Sequence, residues 1–366
     1  MEASILAVSI AIPPFTFEQE NISEQFIDIL SLDAQQATML KQLYHNSAIN
    51  KRHTVISDFK KRREEWKFWG SDFPKTIPGM SERNQKFIEE APKLAFEAAN
   101  KALDSWGEER SSITHVISIS CTGVMAPGIE FLLMQQLKLN PTVERLGINF
   151  MGCFGAFRGL SIAKSIAKEN PKNRILMVCT ELCSLHFQVE QTTDNILANS
   201  LFSDGAAAVI IGSHPNKNES ALWEIDSIGS VGLENSLDKM TWEASDQGFV
   251  MKLSHKVPVL LGRNIKPFVD DLIDQRFSYS DCQWAIHPGG KSIIQAIEKV
   301  LELDRRLTMT SWDVLADYGN MSSATFLFLL HRLAEKKYSQ KWILGVGFGP
   351  GLSFEGIVLK RPNHEI

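Results

Sequence analysis

The sequence predicts an α/β fold built around a largely parallel sheet that helices cover on both faces. Short apolar or β-branched runs of strand length recur along the chain. Longer stretches, in which apolar residues return every three or four positions, alternate with these runs. This alternation is typical of sheets that are buried on both faces, so the strands form the centre of the molecule and the helices its outside.

The predicted elements appear in a regular order from the first residues onward. The run ILAVSIAIPP at positions 5–14 is typical of a first strand, and because no basic segment precedes it we expect neither a signal peptide nor a transit peptide. Three helix-then-strand units follow: Phe87–Trp106 with Ile113–Ser120, Gly159–Lys168 with Arg174–Thr180, and Pro258–Asp274 with Gln283–Ile286.

Composition excludes several classes of function. The 366 residues carry 38 basic and 43 acidic side chains, a net charge of −5, so no basic field attracts nucleic acid or anionic lipid. The longest apolar runs are far shorter than the roughly 18–20 residues that cross a bilayer, and we expect no membrane span. The five cysteines are too few and too scattered for a disulfide framework, which favours a reducing cytoplasm.

A weak internal repeat indicates two related halves. Ser203–Ser213 (SDGAAAVIIGS) and Gly347–Lys360 (GFGPGLSFEGIVLK) both place a glycine turn before a strand-like run. The polar stretch His214–Ser220 (HPNKNES) is rich in loop formers and is the natural place for a boundary. We therefore expect one half at residues 1–215 and the other at residues 216–366.

Cys153 is the first candidate catalytic residue. It lies in Asn149–Leu160 (NFMGCFGAFRGL), where an apolar strand-like segment meets Gly152 and then a helical pattern. A thiol at the start of a helix faces the positive end of the helix dipole and unpaired backbone N–H groups, and we expect these to lower its pKa. By itself a buried cysteine is more often an inert packing residue.

His287 and Asn320 occupy comparable places. His287 follows a short apolar strand in Ala285–Gly290 (AIHPGG), and Asn320 follows a glycine turn in Asp317–Ala324 (DYGNMSSA), where an ordinary helix N-cap is the alternative. A Cys–His pair makes a nucleophile for acyl transfer, which a hydrolase also uses. A neutral His with Asn can instead hydrogen-bond a thioester carbonyl that becomes an enolate, and spacing does not choose between these chemistries.

At this point several motifs resemble those of a known family. GCFGAFRGL around Cys153, SLFSDGAAAVIIGS around Phe202, AIHPGG, DYGNMSSA and the GFGPGL segment at Gly347–Leu352 are similar to motifs of the type III polyketide synthases, the chalcone and stilbene synthase family. The similarity runs over nearly the whole chain in the family's order, and GNMSSA together with GFGPGL is specific to the family.

The resemblance implies a fold, a reaction and an assembly. The fold is the thiolase fold, five αβαβα layers in two pseudo-duplicated halves, as a cytoplasmic homodimer. Cys153 takes the acyl starter from an acyl-CoA, and His287 keeps it as a thiolate. His287 and Asn320 then hold the thioester carbonyl of malonyl-CoA while carbon dioxide leaves. Because the carbanion comes from decarboxylation, the resemblance implies no metal and no cofactor beyond the CoA thioesters, and the product is a cyclised pyrone, resorcinol or other phenolic compound.

The resemblance also implies which residues line the substrate cavity, and at several of these positions the chain differs from the plant enzymes. Met251 stands where the plant enzymes have a second gatekeeper phenylalanine, and the bulky Phe157 and Arg158 are closer to bacterial members. The segment that carries a CoA-binding lysine in plants leaves Lys51 and Arg52 as candidates for the CoA phosphates. The predicted substrate-binding residues are Cys121, Thr122, Cys183, His186, Phe202, Met251, Gly289, Gly290 and Ser322.

Three alternatives stay open at this level. An initiating ketoacyl synthase shares Cys, His and Asn but takes malonyl groups from an acyl carrier protein. A catalytically inactive thiolase-fold protein would only bind partners. A cysteine hydrolase would release free acid from acyl-CoA without decarboxylating malonyl-CoA.

Overall fold

A computed structural model describes residues 2–213 and 219–362 of the chain. The expected boundary between residues 215 and 216 lies outside the described residues. The strands are β1 Ala3–Ala11, β2 Phe15–Glu18, β3 Lys51–Thr54, β4 His115–Ser120, β5 Glu144–Asn149, β6 Arg174–Leu182, β7 Asp204–Ser213, β8 Trp223–Gly232, β9 Met240–Ser245, β10 Gly248–Leu253, β11 Cys282–Ile286, β12 Trp342–Gly349 and β13 Ser353–Lys360. The α-helices are α1 Gln19–Leu30, α2 Ala34–His45, α3 Met80–Trp106, α4 Ile129–Gln136, α5 Gly155–Glu169, α6 Thr193–Leu201, α7 Val257–Ile273, α8 Lys291–Val300, α9 Arg305–Tyr318 and α10 Ala324–Glu335.

A nine-stranded sheet runs through the molecule in the order β11-β12-β13-β8-β1-β7-β6-β4-β5. The α/β prediction is confirmed, but the expectation of a largely parallel sheet is wrong. Only β4–β5, β4–β6 and β11–β12 are parallel pairs, while the other five neighbouring pairs are antiparallel. In this protein helices cover both faces of the antiparallel strands as well. These strands therefore carry the continuous apolar runs that are usual for buried parallel strands.

The strand order repeats once across the sheet. In one half β4 pairs in parallel with β6, which is followed by the antiparallel strands β7 and β1. In the other half β11 pairs in parallel with β12, followed by the antiparallel strands β13 and β8. The internal repeat seen in the sequence corresponds to β7 and β13, the matching strands of the two halves. The halves meet where β1 and β8 pair through two residues of each strand.

The two faces of the sheet bury different side chains in separate core layers. Outward-facing residues of β4 and β6 pack beneath α3 and α4, and those of β11 and β12 pack beneath α7, α8 and α9. Inward-facing residues of both halves meet α5 and α10 in a central core. Residues Ala324 to Leu330 of α10 are all buried, as expected for a helix that is apolar on every side. The two halves of the sheet thus lie on either side of α5 and α10, and the other helices cover them from outside. The result is five layers: helix, sheet, helix, sheet, helix.

One further finding concerns membranes. Across residues 2–213 and 219–362, none of the helices combines the length and the apolar character needed to cross a bilayer.

Candidate active site

The turn between β5 and α5 presents Cys153 to the interior. After β5 ends at Asn149, Phe150 and Gly152 both have positive φ, 57° and 72°, and reverse the chain. A 3-10 turn at Gly152–Phe154 then leads into α5. Cys153 is 8% exposed and lies just before the first turn of that helix, as the sequence predicts.

Contacts from two other segments fix this turn. A Cβ on Gly152 would lie 2.4 Å from Cδ of Pro350, so the GFGPGL segment closes directly over it. From the other side, the Gly152 N–H donates to Sγ of Cys121 at 3.0 Å, and that thiol donates to the Gly152 carbonyl at 3.6 Å. Cys121 therefore holds the backbone of the turn as well as lining the cavity beside Cys153.

His287 follows β11 directly and faces the same space. Its backbone N–H donates to the Val346 carbonyl at 2.8 Å, which extends the β11–β12 ladder by one residue. The side chain is 1% exposed, and neither Nδ1 nor Nε2 has a hydrogen-bond partner among the described residues. Burial lowers the pKa of His287 to about 4, so the ring is neutral at physiological pH. A neutral imidazole with both nitrogens unused can accept a proton and donate a hydrogen bond.

The Asn320 side chain is oriented by its own loop. Its Oδ1 accepts the Ser322 N–H at 2.8 Å, so the amide nitrogen is the group left for other partners. That nitrogen lies 3.4 Å from the Gly289 carbonyl. The backbone of Asn320 bonds to Leu201 and Ser203, which lie on either side of Phe202, and so ties this loop to the end of α6. Asn320 does not cap α10, whose N-cap is Ser323.

The electrostatics of Cys153 differ from the expectation. Burial raises the pKa of Cys153 to about 11; hydrogen bonding to Ser322 and Asn320 opposes this rise, and the nearby Glu181 carboxylate adds to it. The prediction that this pKa is lowered is wrong for the unliganded protein, because the loss of water around the sulfur outweighs the hydrogen bonds that stabilise the thiolate. In the resting site Cys153 is a thiol and His287 is neutral.

The three candidate catalytic side chains line one cavity. Cys153, His287 and Asn320 meet in a space of ≈ 50 Å³ that Phe202 and Met251 also line. We call it the catalytic cavity. A lobe of ≈ 20 Å³ adjoins it at Cys153 and is lined by Cys121, Thr122, Cys183, Phe202, Met251 and Ser322. Most of the predicted substrate-binding residues therefore lie around Cys153.

His186 is the predicted cavity residue that lies further away. Its Nε2 donates to the Thr122 carbonyl at 2.8 Å, and its Nδ1 accepts the Phe249 N–H at 3.1 Å. Burial is the main reason that the pKa of His186 falls to about 3. Both nitrogens are thus used to join the Thr122 loop to β10, and the ring lines a second chamber rather than the catalytic cavity.

Sequence reasoning missed Glu181, the most deeply buried carboxylate near the thiol. It is 0% exposed and accepts hydrogen bonds from the Cys121 N–H at 3.0 Å and the Thr122 hydroxyl at 2.8 Å, with Ser323 on its other oxygen. Burial raises its pKa. The available signal was a single acidic residue in the mostly apolar run ILMVCTEL. Glu181 organises the loops around the lobe.

An open cleft of ≈ 880 Å³ leads from the surface towards the catalytic cavity. Leu201, Leu253, Gly289 and Ile293 line both spaces. Gly290 and the first residue of α8, Lys291, line the outer part, together with Lys252. The two glycines predicted to bind substrate are thus placed where a ligand arm would pass.

The predicted CoA-binding residues Lys51 and Arg52 lie elsewhere. Neither is among the residues that line the cleft. Arg52 is 8% exposed, and its guanidinium donates to Gln19 Oε1 at 2.8 Å and to the carbonyls of Asn199 at 2.5 Å and Phe202 at 3.0 Å. These buried bonds make Arg52 unsuited to a phosphate. The cations that do line the cleft are Lys252 and Lys291, which the sequence did not single out.

Comparison with known proteins gives this site a family. The sequence model of the chalcone and stilbene synthases, N-terminal domain, matches residues 1–215, and that of the C-terminal domain matches residues 231–362. The chain is 35% identical over 364 residues to a probable polyketide synthase 1 of Dictyostelium discoideum, covering 98% of this chain and 11% of that protein. It is 30% identical over 371 residues to type III polyketide synthase A of Arabidopsis thaliana, covering 98% of this chain and 93% of that one.

A solved structure agrees with the sequence relatives. The C-terminal type III polyketide synthase domain of Steely1, a type I/III hybrid from Dictyostelium, superposes with a TM-score of 0.93 and 35% identity, covering 99% of each chain. The thiolase-fold prediction is thereby confirmed, whereas the expected closeness to bacterial members stays a prediction. The fold has five layers, and the two domain models match one after the other along the chain. Together with these relatives, the matches show that the chain belongs to the chalcone and stilbene synthase family, the type III polyketide synthases.

Proposed function

We propose that this chain loads an acyl group from an acyl-CoA onto Cys153, extends it by decarboxylative condensation with malonyl-CoA, and releases a cyclised pyrone, resorcinol or other phenolic product. The observation that carries the proposal is the meeting of Cys153, His287 and Asn320 in one cavity. The two unpartnered nitrogens of a buried, neutral His287 support a role in proton transfer and hydrogen bonding.

Loading begins with proton transfer from Cys153 Sγ to His287. Burial keeps both groups neutral at rest, so the ion pair forms only when the thioester is in place and the sulfur attacks its carbonyl carbon. The carbon–sulfur bond to CoA then breaks, and the imidazolium returns its proton to the leaving thiolate. The acyl group remains on Cys153, and His287 is neutral again.

Extension uses His287 in a different way, together with Asn320. A ring N–H of neutral His287 and the amide nitrogen of Asn320 hydrogen-bond the thioester oxygen of malonyl-CoA. The bond to the carboxylate breaks, carbon dioxide leaves, and the electron pair of that bond forms an enolate that attacks the acyl carbon on Cys153. The carbon–sulfur bond to Cys153 then breaks, the sulfur leaves as a thiolate, and the extended chain remains on CoA. Each preorganised donor lowers such a barrier by about 3–4 kcal/mol. The chemistry needs no cofactor beyond the CoA thioesters.

The open cleft is the proposed path of CoA. A pantetheine arm entering it passes Gly289 and Gly290 and reaches the catalytic cavity through the residues that both spaces share. Lys252 and Lys291 are the cations we propose for the CoA phosphates, in place of Lys51 and Arg52. The start of α8 adds backbone N–H groups on the same side.

We propose a homodimer that forms along β5. Among the strands of residues 2–213 and 219–362, it is the last of the sheet and pairs with β4 alone. Such an edge is open to pairing with a second copy. Apolar side chains on β5 and directly after it are exposed: Leu146 by 40%, Phe150 by 44% and Met151 by 38%. A Leu146→Glu variant is expected to shift the molecular mass in light scattering from dimer to monomer.

We propose halves at residues 1–215 and 216–366, which the separate family matches to residues 1–215 and 231–362 support. The first half carries Cys153, and the second carries His287 and Asn320. A cytoplasmic location is proposed because the five cysteines are buried free thiols, which suits a reducing compartment.

The test is turnover of malonyl-CoA by the purified protein without any carrier protein. We expect release of carbon dioxide and CoA, with pyrone or phenolic products in mass spectra. Turnover only with a malonyl carrier protein would support an initiating ketoacyl synthase. Free acid from acyl-CoA without carbon dioxide from malonyl-CoA would support a hydrolase, and failure of acyl-CoA to label Cys153 would support an inactive binding protein.

A further inference from the structure

The helix that follows Cys153 lies directly on the hairpin of β12 and β13. Phe154, which precedes α5, and Phe157 in its first turn both face the end of β12. A Cβ on Gly349 would lie 2.4 Å from Phe154 Cδ1, and a Cβ on Gly347 would lie 2.4 Å from Phe157 Cε2. The two rings therefore rest on bare backbone, and the start of α5 fits closely against the end of β12.

An ion pair extends this contact to β13. Arg158 comes one residue after Phe157, and its Nη2 donates to Oε2 of Glu355. Glu355 is 2% exposed, and its Oε1 accepts a hydrogen bond from the Ser230 hydroxyl at 2.6 Å. In the two ladders Glu355 lies opposite Gly347 on β12 and opposite Ser230 on β8. Both carboxylate oxygens are thus bonded, one to α5 and the other to the sheet.

Stability alone does not account for the pair of Arg158 and Glu355. Burial raises the pKa of Glu355, and the hydrogen bonds from Ser230 and Arg158 oppose this rise. Arg158 Nε is buried as well, and no residue in 2–213 or 219–362 bonds it. Apolar side chains of similar size are often at least as stabilising as a buried ion pair. The pair is therefore explained better by the position it imposes than by the stability it adds.

The position that the pair imposes concerns the cover of the nucleophile. Arg158 comes five residues after Cys153, and Glu355 comes five residues after Pro350. Pro350 packs against the glycine before Cys153 and lines the lobe beside the thiol. We call residues 350–352, which connect β12 to β13, the cover turn. The pair thus joins the helix that follows the nucleophile to the strand that follows the cover turn.

We propose that Arg158 and Glu355 are positioning residues that hold the cover turn against the start of α5, so that water does not reach the acyl group on Cys153 between extension steps. The inference rests on the proposed loading of Cys153. Without the pair, a water oxygen attacks the thioester carbon, the carbon–sulfur bond breaks, and a proton of the water passes to the sulfur. The acyl group then leaves as free acid before it is extended. Protecting a reactive intermediate from water is one effect of covering an active site.

The first test measures how the acyl group is partitioned. Wild-type protein is given malonyl-CoA with acetyl-, hexanoyl- or benzoyl-CoA, and the starter that yields most extended product is kept for the variants. Arg158→Met is expected to raise the ratio of free acid to extended product at least about tenfold, the effect on an opening equilibrium of losing a hydrogen bond to a charged group. Glu355→Gln should raise the ratio in the same direction, and Arg158→Lys, which keeps the charge, should lie near wild type.

Lys168→Met is the matched control for this ratio. Lys168 lies at the other end of α5 and pairs with Glu2, so its loss removes an ion pair from the same helix without touching the cover turn. The ratio should stay at the wild-type value. A lower kcat with an unchanged ratio in Arg158→Met would show a structural role only and would overturn the proposal.

Hydrogen exchange gives a second readout, which needs no turnover. In the cover turn the Gly351 N–H donates to the Met240 carbonyl at 3.0 Å. Peptides that contain residues 350–352 should exchange about tenfold faster in Arg158→Met than in wild type or Lys168→Met. Equal exchange in all three proteins would overturn the proposal. If Arg158→Met does not fold, Glu355→Gln carries both tests, because its amide oxygen can still accept the Ser230 hydrogen bond.

The two readouts separate this proposal from the proposed function. If no starter supports release of carbon dioxide from malonyl-CoA, the proposed function fails, and the exchange measurement still shows whether the pair holds the cover turn. If the wild-type protein makes extended product and neither the ratio nor the exchange changes in the variants, the function stands and the positioning proposal fails.

Discussion

Replacing Gly152 by alanine tests how rigidly the turn before Cys153 must be held. Gly152 has φ of 72°, a conformation that costs an alanine about 1–2 kcal/mol. The new Cβ would also lie 2.4 Å from Pro350 Cδ and 2.9 Å from its Cγ, so the turn or the GFGPGL segment has to shift by about 1 Å. A shift of that size in a reacting group lowers kcat/KM by about 10²-fold.

The assay compares kcat/KM for starter and malonyl-CoA with the thermal midpoint. Gly152→Ala should stay folded, with a midpoint lower by a few degrees, and lose about two orders of magnitude in kcat/KM. Gly232→Ala is the control, because a Cβ there meets no atom within 4 Å and no positive φ is involved. Wild-type kinetics in Gly152→Ala would refute the argument that Pro350 and Gly152 together position the thiol.

Three further predictions concern loading, pH and CoA. Cys153→Ala should abolish the acyl adduct seen by intact-protein mass spectrometry, and Cys121→Ser should retain it; an adduct on Cys153→Ala would place the nucleophile elsewhere. Because burial raises the pKa of Cys153 to about 11, its alkylation by iodoacetamide in the unliganded protein should rise about tenfold per pH unit from 6 to 9; a plateau by pH 7 would mean a preformed thiolate. Lys252→Ala and Lys291→Ala should each raise KM for malonyl-CoA several-fold at low salt and leave kcat nearly unchanged, whereas Lys51→Ala should not; the reverse pattern would return Lys51 to the CoA site.

The elements could be predicted from the sequence because they follow local patterns. The helix expected at Phe87–Trp106 is the C-terminal part of α3. The strand expected at Arg174–Thr180 corresponds to β6, which extends two residues further, to Leu182. Strand direction could not be predicted, because apolar periodicity is the same for parallel and antiparallel strands when both faces are covered. That is why β7 and β13 were not recognised as antiparallel to their neighbours.

The candidate site also has parts that the sequence predicted and parts that it did not. Glycine turns next to Cys153, His287 and Asn320 indicated strand and helix ends, and the structure brings these three side chains to one cavity. The pKa of Cys153 could not be inferred, because desolvation depends on how completely distant segments close over the thiol. The burial of Arg52 had no sequence signal either, since its acceptors are carbonyls of residues about 150 positions away.

The distinctive shape of the cavity also depends on distant contacts. Trp242 lies between the lobe beside Cys153 and the second chamber, where its indole reaches the Cys121 carbonyl from another part of the chain. Its position in β9, a short two-stranded ribbon with β10, gave no sign of a partition. The sequence therefore indicated the reaction better than the substrate.

The most direct test of the central claim is the rate of carbon dioxide release from malonyl-CoA by a Cys153→Gln protein, alone and combined with Asn320→Ala. The glutamine cannot be acylated, so the assay isolates the step assigned to His287 and Asn320. We predict that Cys153→Gln still decarboxylates malonyl-CoA and that adding Asn320→Ala lowers the rate about 10²–10³-fold, the effect of losing one preorganised donor. Equal rates in the two proteins would contradict the account.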